Sequence, residues 1–137
     1  MKLTKEDLQL VKQAEDIIKA RWTKGDISHT VGCALRASDG RVFVGINLDD
    51  WGFHSICGEQ VALSSAITHG VKDFDTIVAV GYTGKDVKVI APCGSCRQLM
   101  SKYAPNINVI VDDNGKLVKV KFDEMLPYAY KLHLKRS

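Results

Sequence analysis

The spacing of apolar residues over the first 24 positions predicts an amphipathic helix. Apolar side chains recur there every three or four residues, as a helix with one buried face requires. They are Leu8, Val11, Ala14, Ile18 and Trp22. Thr4 and Asp7 have the spacing of a capping box, and Gly25 is a suitable residue for ending the helix.

Alternating and β-branched runs predict strands along the rest of the chain. The runs occupy residues 29–36, 41–46, 76–80, 87–91, 107–111 and 117–121. Asp39-Gly40 separates the first pair of runs and Asn114-Gly115 the last pair, and both dipeptides are hairpin signals. Residues 47–57 have no period and predict a loop.

Three further segments predict helices. Residues 57–69 and 92–103 are the longer two, and a short helix follows from Asp123. The order α-β-β-α-β-β-α-β-β-α predicts an α/β fold with a mixed sheet of about five strands and helices on both faces. No repeat or linker interrupts the pattern, so we expect one domain over residues 1–137, with a basic end at residues 131–137.

Composition and charge narrow the classes of function. The chain has 137 residues, of which 45% are hydrophobic and 26% charged, as in a folded domain. The net charge of +3 is too small to indicate a nucleic-acid polymer or a membrane surface as partner. The sequence has neither a leader-like start nor an apolar run of the ~20 residues that a membrane-spanning helix needs, so a cytoplasmic protein is expected.

Four cysteines carry the most informative pattern. An even number could form two disulfides in a secreted protein, but in a reducing compartment it points to metal or catalysis. Cys93 and Cys96 fall on one face at the start of a predicted helix, and Cys57 opens another. Helix N-termini favour thiolates. Three thiolates with a fourth position open are typical of catalytic zinc.

Glu59, two residues after Cys57, is placed to move protons rather than to bind the metal. A carboxylate that takes a proton from water activated by zinc and returns it to a leaving nitrogen is what hydrolytic deamination needs. The three cysteines and Glu59 therefore all indicate the same class of reaction, hydrolytic deamination.

Three other interpretations of the cysteines stay open at this level. They could be inert buried thiols, the expected state of Cys33 in its apolar strand. Cys33 could instead be the fourth ligand of a structural four-cysteine zinc module, or Cys93 could be the nucleophile of a CxxC redox protein. Neither the zinc module nor the redox protein explains Glu59.

The two-part cysteine motif resembles the zinc signature of the cytidine deaminase superfamily. The motif is CGE at residues 57–59 followed by PCGSCRQ at residues 92–98. Further similarity lies in VGCA, GIN and LPYAY, at residues 31–34, 45–47 and 126–130. Within the superfamily, residues 72–80 and 114–119 are more similar to the blasticidin S deaminase branch.

This resemblance implies a three-layer αβα sandwich and a hydrolase that acts on a cyclic amidine C–N bond. Cys57, Cys93 and Cys96 would bind one Zn²⁺ per subunit of a homotetramer, and Glu59 would shuttle protons. The substrate would be a small aminopyrimidine: cytidine, deoxycytidine, blasticidin S or, alternatively, a free base or another aminated heterocycle. No nucleic-acid polymer or membrane is implied as a partner.

The resemblance also implies substrate contacts, with departures at the sugar end. Asn47 matches the asparagine that binds the sugar, Asp49 stands where the family has glutamate, and His29 where it often has phenylalanine. Gly58 and Tyr128 complete the implied substrate contacts, and Tyr128 would also lie at a subunit interface. Arginine commonly follows Cys-Ala-Glu in tetrameric members and draws charge from the thiolates. Here the neutral donor Gln60 takes that place.

Overall fold

The computed structural model describes residues 1–132. The basic end expected over residues 131–137 therefore lies mostly outside the described residues. None of the helices in the described part is both long enough and apolar enough to cross a membrane.

Within residues 1–132 the elements follow the predicted order closely. The helices are α1 (Lys5–Arg21), α2 (Gly58–Thr68) and α3 (Gly94–Tyr103), followed by a 3-10 turn at Phe122–Glu124. The strands are β1 (Val31–Ala37), β2 (Val42–Ile46), β3 (Leu48–Asp49), β4 (Ser55–Ile56), β5 (Phe74–Tyr82), β6 (Val87–Ile90), β7 (Asn108–Asp113) and β8 (Lys116–Lys121).

Six strands form the main sheet in the order β2-β1-β5-β7-β8, with β6 also paired to β5. The β5–β7 pair is parallel and the others are antiparallel, so the sheet is mixed as predicted. β1 pairs with β5 from Phe74 to Gly81. β7 and β6 share the other edge of β5, at residues 76–78 and 79–82 respectively. The helices α2 and α3 follow β4 and β6 in the chain and pack on the same side of the sheet.

Successive residues of the central strands supply two cores, one on each face of the sheet. Ala34, Val78 and Ile110 pack with the buried face of α1. Their neighbours Cys33, Ile77 and Val109 pack on the other face, where Leu63 of α2 and Met100 of α3 also lie. The alternation of strand side chains thus produces the three layers expected of the αβα sandwich.

The buried face of α1 differs from the prediction at Leu8, which is exposed, and at Asp7 and Leu10, which are buried although the predicted face did not include them. Leu8 is 55% exposed, while Asp7 is fully buried. The buried positions are 7, 10, 11, 14 and 18, and Leu8 lies about 100° around the helix from Asp7. Asp7 can be buried because its carboxylate accepts from Arg36 Nη2 at 2.7 Å and Lys119 Nζ at 2.8 Å, while the Thr4 N–H completes the predicted capping box at 2.9 Å.

The segment predicted as a loop at residues 47–57 contains a small hairpin. Leu48 pairs with Ile56 and Asp49 with Ser55. The tip turns through Trp51 and Gly52, with φ values of 54° and 87°. Asp50 accepts from the His54 N–H at 2.6 Å and so closes the tip. Trp51 and Phe53 are left almost fully exposed on it.

A close backbone approach places the start of α2 against the sheet. A Cβ atom on Gly45 of β2 would lie 2.7 Å from the Gly58 carbonyl oxygen and 2.7 Å from the Ala62 nitrogen. Only glycine leaves room for this contact. The contact holds the first turn of α2, and with it Cys57 and Glu59, beside β2.

Candidate active site

Three cysteine thiols meet where α2 and α3 begin. Cys57 and Cys93 are the residues directly before these helices, and Cys96 lies in the first turn of α3. The Sγ atoms of Cys57 and Cys93 are 3.4 Å apart, as are those of Cys93 and Cys96. All three sulfurs lie within 4.8 Å of one another.

This sulfur triangle fits a zinc ion. A Zn–S distance of about 2.3 Å in tetrahedral geometry corresponds to sulfurs about 3.8 Å apart, close to the spacing found here. Three thiolates are the donor type that zinc takes, and they leave one coordination position for a small molecule. Burial raises the pKa of the Cys93 thiol, but hydrogen bonds from the Cys96 backbone and from the neighbouring thiols outweigh burial, and the net direction is down.

Cys33 belongs to the core and not to the metal site. Its side chain is completely buried between the sheet and α2, and it lies outside the group of possible metal ligands found in residues 1–132. Burial raises the pKa of its thiol well above the ordinary value. The expectation of a core cysteine is confirmed, and the alternative of a structural four-cysteine module is wrong because Cys33 does not join the cluster.

Glu59 lies in the first turn of α2 with 5% of its surface exposed, and it lines a cavity shared with Cys57 and Cys93. Burial raises the pKa of its carboxyl group, because desolvation disfavours the charged form. A raised pKa suits a group that must both accept and release a proton near neutral pH.

The cavity has a volume of about 460 Å³ and a mixed lining. Ile27, Val31 and Ile90 supply apolar walls. Asn47, Asp49 and Ser55 supply polar groups. A cavity of this size, with a few polar groups among apolar walls, is suited to a small molecule.

Asn47 is in the cavity lining, but most of its amide is used within the chain. Its Oδ1 accepts from the N–H groups of Thr30 and Val31 at 2.8 and 2.9 Å, and its Nδ2 donates to the Ser28 carbonyl at 3.1 Å. Both lone pairs of Oδ1 and one hydrogen of Nδ2 are therefore engaged. Asn47 holds residues 28–31 in place and keeps one N–H for another partner.

The other residues implied in substrate binding fall into two groups. Asp49 and Gly58 line the cavity, and the Asp49 carboxylate accepts from Ser55 Oγ at 3.1 Å. His29 is half-buried beside the cavity wall, with Nδ1 at 2.9 Å from the Asn47 carbonyl oxygen. Tyr128 is fully exposed, with a φ of 55°. Neither His29 nor Tyr128 is among the lining residues within one chain, and their substrate roles stay predictions.

Several parts of the site had no signal in the sequence. Ile27 follows α1 in an irregular segment, and Ser55 was part of the predicted loop, yet both line the cavity. Gln60 stands where tetrameric members of the family commonly have an arginine that draws charge from the thiolates, and as a neutral donor it was expected to do less. Its Nε2 instead donates to Ser95 Oγ at 3.1 Å.

Comparison with known proteins agrees with this arrangement. The family described as "Cytidine and deoxycytidylate deaminase zinc-binding region" matches residues 4–112. The chain is 38% identical over 134 residues to the blasticidin-S deaminase of Bacillus cereus, covering 93% of this chain and 94% of that protein. It is 31% identical over 103 residues to a cytidine deaminase of Halalkalibacterium halodurans, covering 73% and 76%.

A solved structure gives the same picture for the fold. The crystal structure of cytidine deaminase from Burkholderia pseudomallei superposes with a TM-score of 0.74 at 30% sequence identity. The match covers 93% of this chain and 100% of the other.

Proposed function

The chain belongs to the cytidine and deoxycytidylate deaminase family, and from this premise we propose that its substrate is blasticidin S or a close cytosine-containing analogue. It is a zinc-dependent hydrolytic deaminase, which replaces an exocyclic amino group with oxygen from water and releases ammonia. The observation that carries the substrate proposal is the match to a blasticidin-S deaminase over nearly the full length of both chains.

The polar end of the cavity supports a substrate whose sugar part differs from plain ribose. Asn47 has one amide hydrogen left, and the shorter carboxylate of Asp49 is already bonded to Ser55. These two residues stand where family resemblance implies sugar contacts. Asn47 has little hydrogen-bonding capacity left for such contacts, whereas the Asp49 carboxylate keeps acceptor sites beyond its bond to Ser55. His29, which stands where the family often has phenylalanine, is a further change at this sugar end of the site.

For the reaction itself, we propose that Cys57, Cys93 and Cys96 hold the metal and that Glu59 moves the protons. Zinc, when bound, supplies a Lewis acid that activates water near neutral pH. The Glu59 carboxylate takes one proton from the attacking water and delivers it to the ring nitrogen. It then takes the second proton from the hydroxyl group newly added to the ring carbon and passes it to the amino group, so that the C–N bond breaks and ammonia leaves. Ile27 and Ile90 line the same cavity as Glu59, which is itself almost completely buried.

A substrate panel tests the proposal. Zinc-loaded protein is assayed for ammonia release with blasticidin S, cytidine, deoxycytidine and free cytosine under the same conditions. We expect the highest kcat/KM with blasticidin S. Higher kcat/KM with cytidine or deoxycytidine would assign the chain to the ordinary nucleoside deaminases, and the highest value with cytosine would assign it to the free-base alternative.

The proposal also includes the number of subunits in the assembled protein. We treat residues 1–137 as one domain and infer a homotetramer with one zinc per subunit. The support is the exposure of large aromatic side chains on a small domain: Trp51, Phe53, Tyr128 and Tyr130. Light scattering after size-exclusion chromatography measures the mass. A mass of about four chains is expected, and a monomer that retains full activity contradicts the inference.

We place the protein in the cytoplasm, because the three ligand thiols bind zinc only while they are reduced. Fractionation of the producing cells tests this assignment. Recovery of the protein outside the cytoplasmic fraction contradicts it.

A further inference from the structure

A side-chain hydrogen bond joins the two helices that carry the cysteine cluster. Gln60 lies in the first turn of α2 and Ser95 in the first turn of α3. Gln60 Nε2 donates to Ser95 Oγ over 3.1 Å. Among residues 1–132, this is the one hydrogen bond between α2 and α3 that involves no thiol.

Gln60 also contacts the backbone of Cys57, the predicted ligand at the start of its own helix. Gln60 Oε1 accepts from the Cys57 backbone N–H over a long 3.4 Å contact. Ser95, its partner across the gap, stands between Cys93 and Cys96 in the chain. One amide group thus connects the backbone at one predicted ligand to the segment that carries the other two.

The cluster needs such a connection for an electrostatic reason. Three sulfurs within 4.8 Å of one another repel strongly once they are deprotonated, and the helix starts that carry them come from separate parts of the chain. A hydrogen bond between the starts of α2 and α3 opposes the separation of the two helices before the ion binds and after it leaves.

We propose that the Gln60–Ser95 hydrogen bond is a positioning tether that holds the starts of α2 and α3 together and thereby slows the loss of zinc. Gln60 and Ser95 are positioning residues in this arrangement, because they act through Cys57, Cys93 and Cys96. Partners outside the ligand set typically change metal affinity by about 10- to 100-fold. This tether is solvent-exposed, so we expect the lower end of that range, roughly tenfold.

The test measures zinc release directly and does not depend on the substrate. Zinc-loaded protein is mixed with excess chromogenic chelator, and the first-order rate of zinc transfer is recorded for Gln60→Ala, Ser95→Ala and the double variant. We expect each single variant to release zinc roughly tenfold faster, with the double variant no faster than the singles. Ser95→Thr, which keeps the hydroxyl group, is expected to restore slow release.

The control is Ser101→Ala, the same substitution on the same helix. Ser101 Oγ donates to the Gln98 carbonyl within α3 and does not reach α2. Its release rate should match that of the unmodified protein. Release rates of the single variants within twofold of the unmodified protein would overturn the tether, and so would effects that multiply in the double variant. Failure of the substrate panel with normal zinc retention would concern the proposed substrate alone.

Discussion

Gly45 of β2 and Gly58 of α2 touch backbone to backbone at the point where the active-site helix meets the sheet. A Cβ atom on Gly45 would come within 2.7 Å of the Gly58 carbonyl oxygen, a distance that side chains do not adopt in folded proteins. The atoms it would meet are backbone atoms of α2, which cannot rotate out of the way. The location of Cys57 and Glu59 therefore depends on a residue that takes no part in the chemistry.

Gly45→Ala should displace α2 and weaken both the fold and the metal site. We expect a loss of about 1–3 kcal/mol in the free energy of unfolding, as for other overpacked positions. Urea unfolding of the zinc-free protein measures it. Gly94→Ala is the control, since its Cβ would meet no atom within 4 Å. Equal stability of the two variants would show that α2 can move away without cost.

Glu59→Gln should remove activity while zinc stays bound. The amide keeps the shape of the side chain but cannot carry the proton, so kcat is expected to fall by about 10²- to 10⁴-fold. Ammonia release and metal content are measured on the same samples. Glu6→Gln is the matched control, because Glu6 is also the second residue of its helix but is exposed on α1. Near-normal turnover of Glu59→Gln would remove the carboxylate from the reaction.

Asp7 should make the fold sensitive to acid. Burial alone would raise the pKa of Asp7, but hydrogen bonds from Lys119, the Thr4 backbone and Arg36 outweigh burial and hold the pKa well below its ordinary value. A lowered folded-state pKa stabilises the protein above the unfolded value of about 3.9, and that stabilisation is lost as the pH falls further.

The variant Asp7→Asn tests this network. The variant removes the buried carboxylate that pairs with Lys119, while Arg36 keeps its ion pair with Asp75 at 2.6 Å, so the expected cost is about 3 kcal/mol in the free energy of unfolding at neutral pH, the lower end for a broken buried pair. The loss of stability between about pH 5 and pH 2 should become shallower in the variant. Urea midpoints across this range measure both effects. Asp16→Asn, on the exposed side of α1, should change stability by less than about 0.5 kcal/mol. An unchanged acid slope in Asp7→Asn would assign the acid sensitivity to other groups.

Removing zinc should expose the thiols in a definite order. Cys93 is exposed and its pKa is lowered, whereas Cys33 is fully buried with a raised pKa. Because the thiolate is the reactive form, alkylation after chelation should modify Cys93 first and spare Cys33. Peptide mass spectrometry over time measures this order. Early modification of Cys33 would mean that the core opens when the metal leaves.

Local patterns were sufficient to predict the architecture and the ligand cluster. Strand alternation and glycine-containing turns depend on neighbouring residues, so the elements could be predicted from the chain alone. The spacing of the cysteines along the chain predicted the metal site in the same way. The position of Glu59 two residues after Cys57 was informative because both belong to one helical turn.

Features that depend on distant partners could not be predicted this way. Asp7 is buried because Arg36 and Lys119 bond to it from two different strands. Both residues are too distant in sequence from Asp7 for a local pattern to include them. The Asn47 side-chain amide forms hydrogen bonds within residues 28–31, and only the folded sheet brings this segment near Asn47. Gln60 stands where the family often has arginine, but the residue that it bonds to, Ser95, depends on where α3 begins.

The separation of the cluster along the chain has a consequence for unfolding. Cys57 and Cys93 are 36 residues apart, with β5 and β6 between them. Coordination of both would act as a reversible cross-link that closes this loop, much as a disulfide does, and would lower the conformational entropy of the opened chain. The melting temperature would then rise with free zinc concentration, and supply of the metal would help determine how long each molecule survives in the cell.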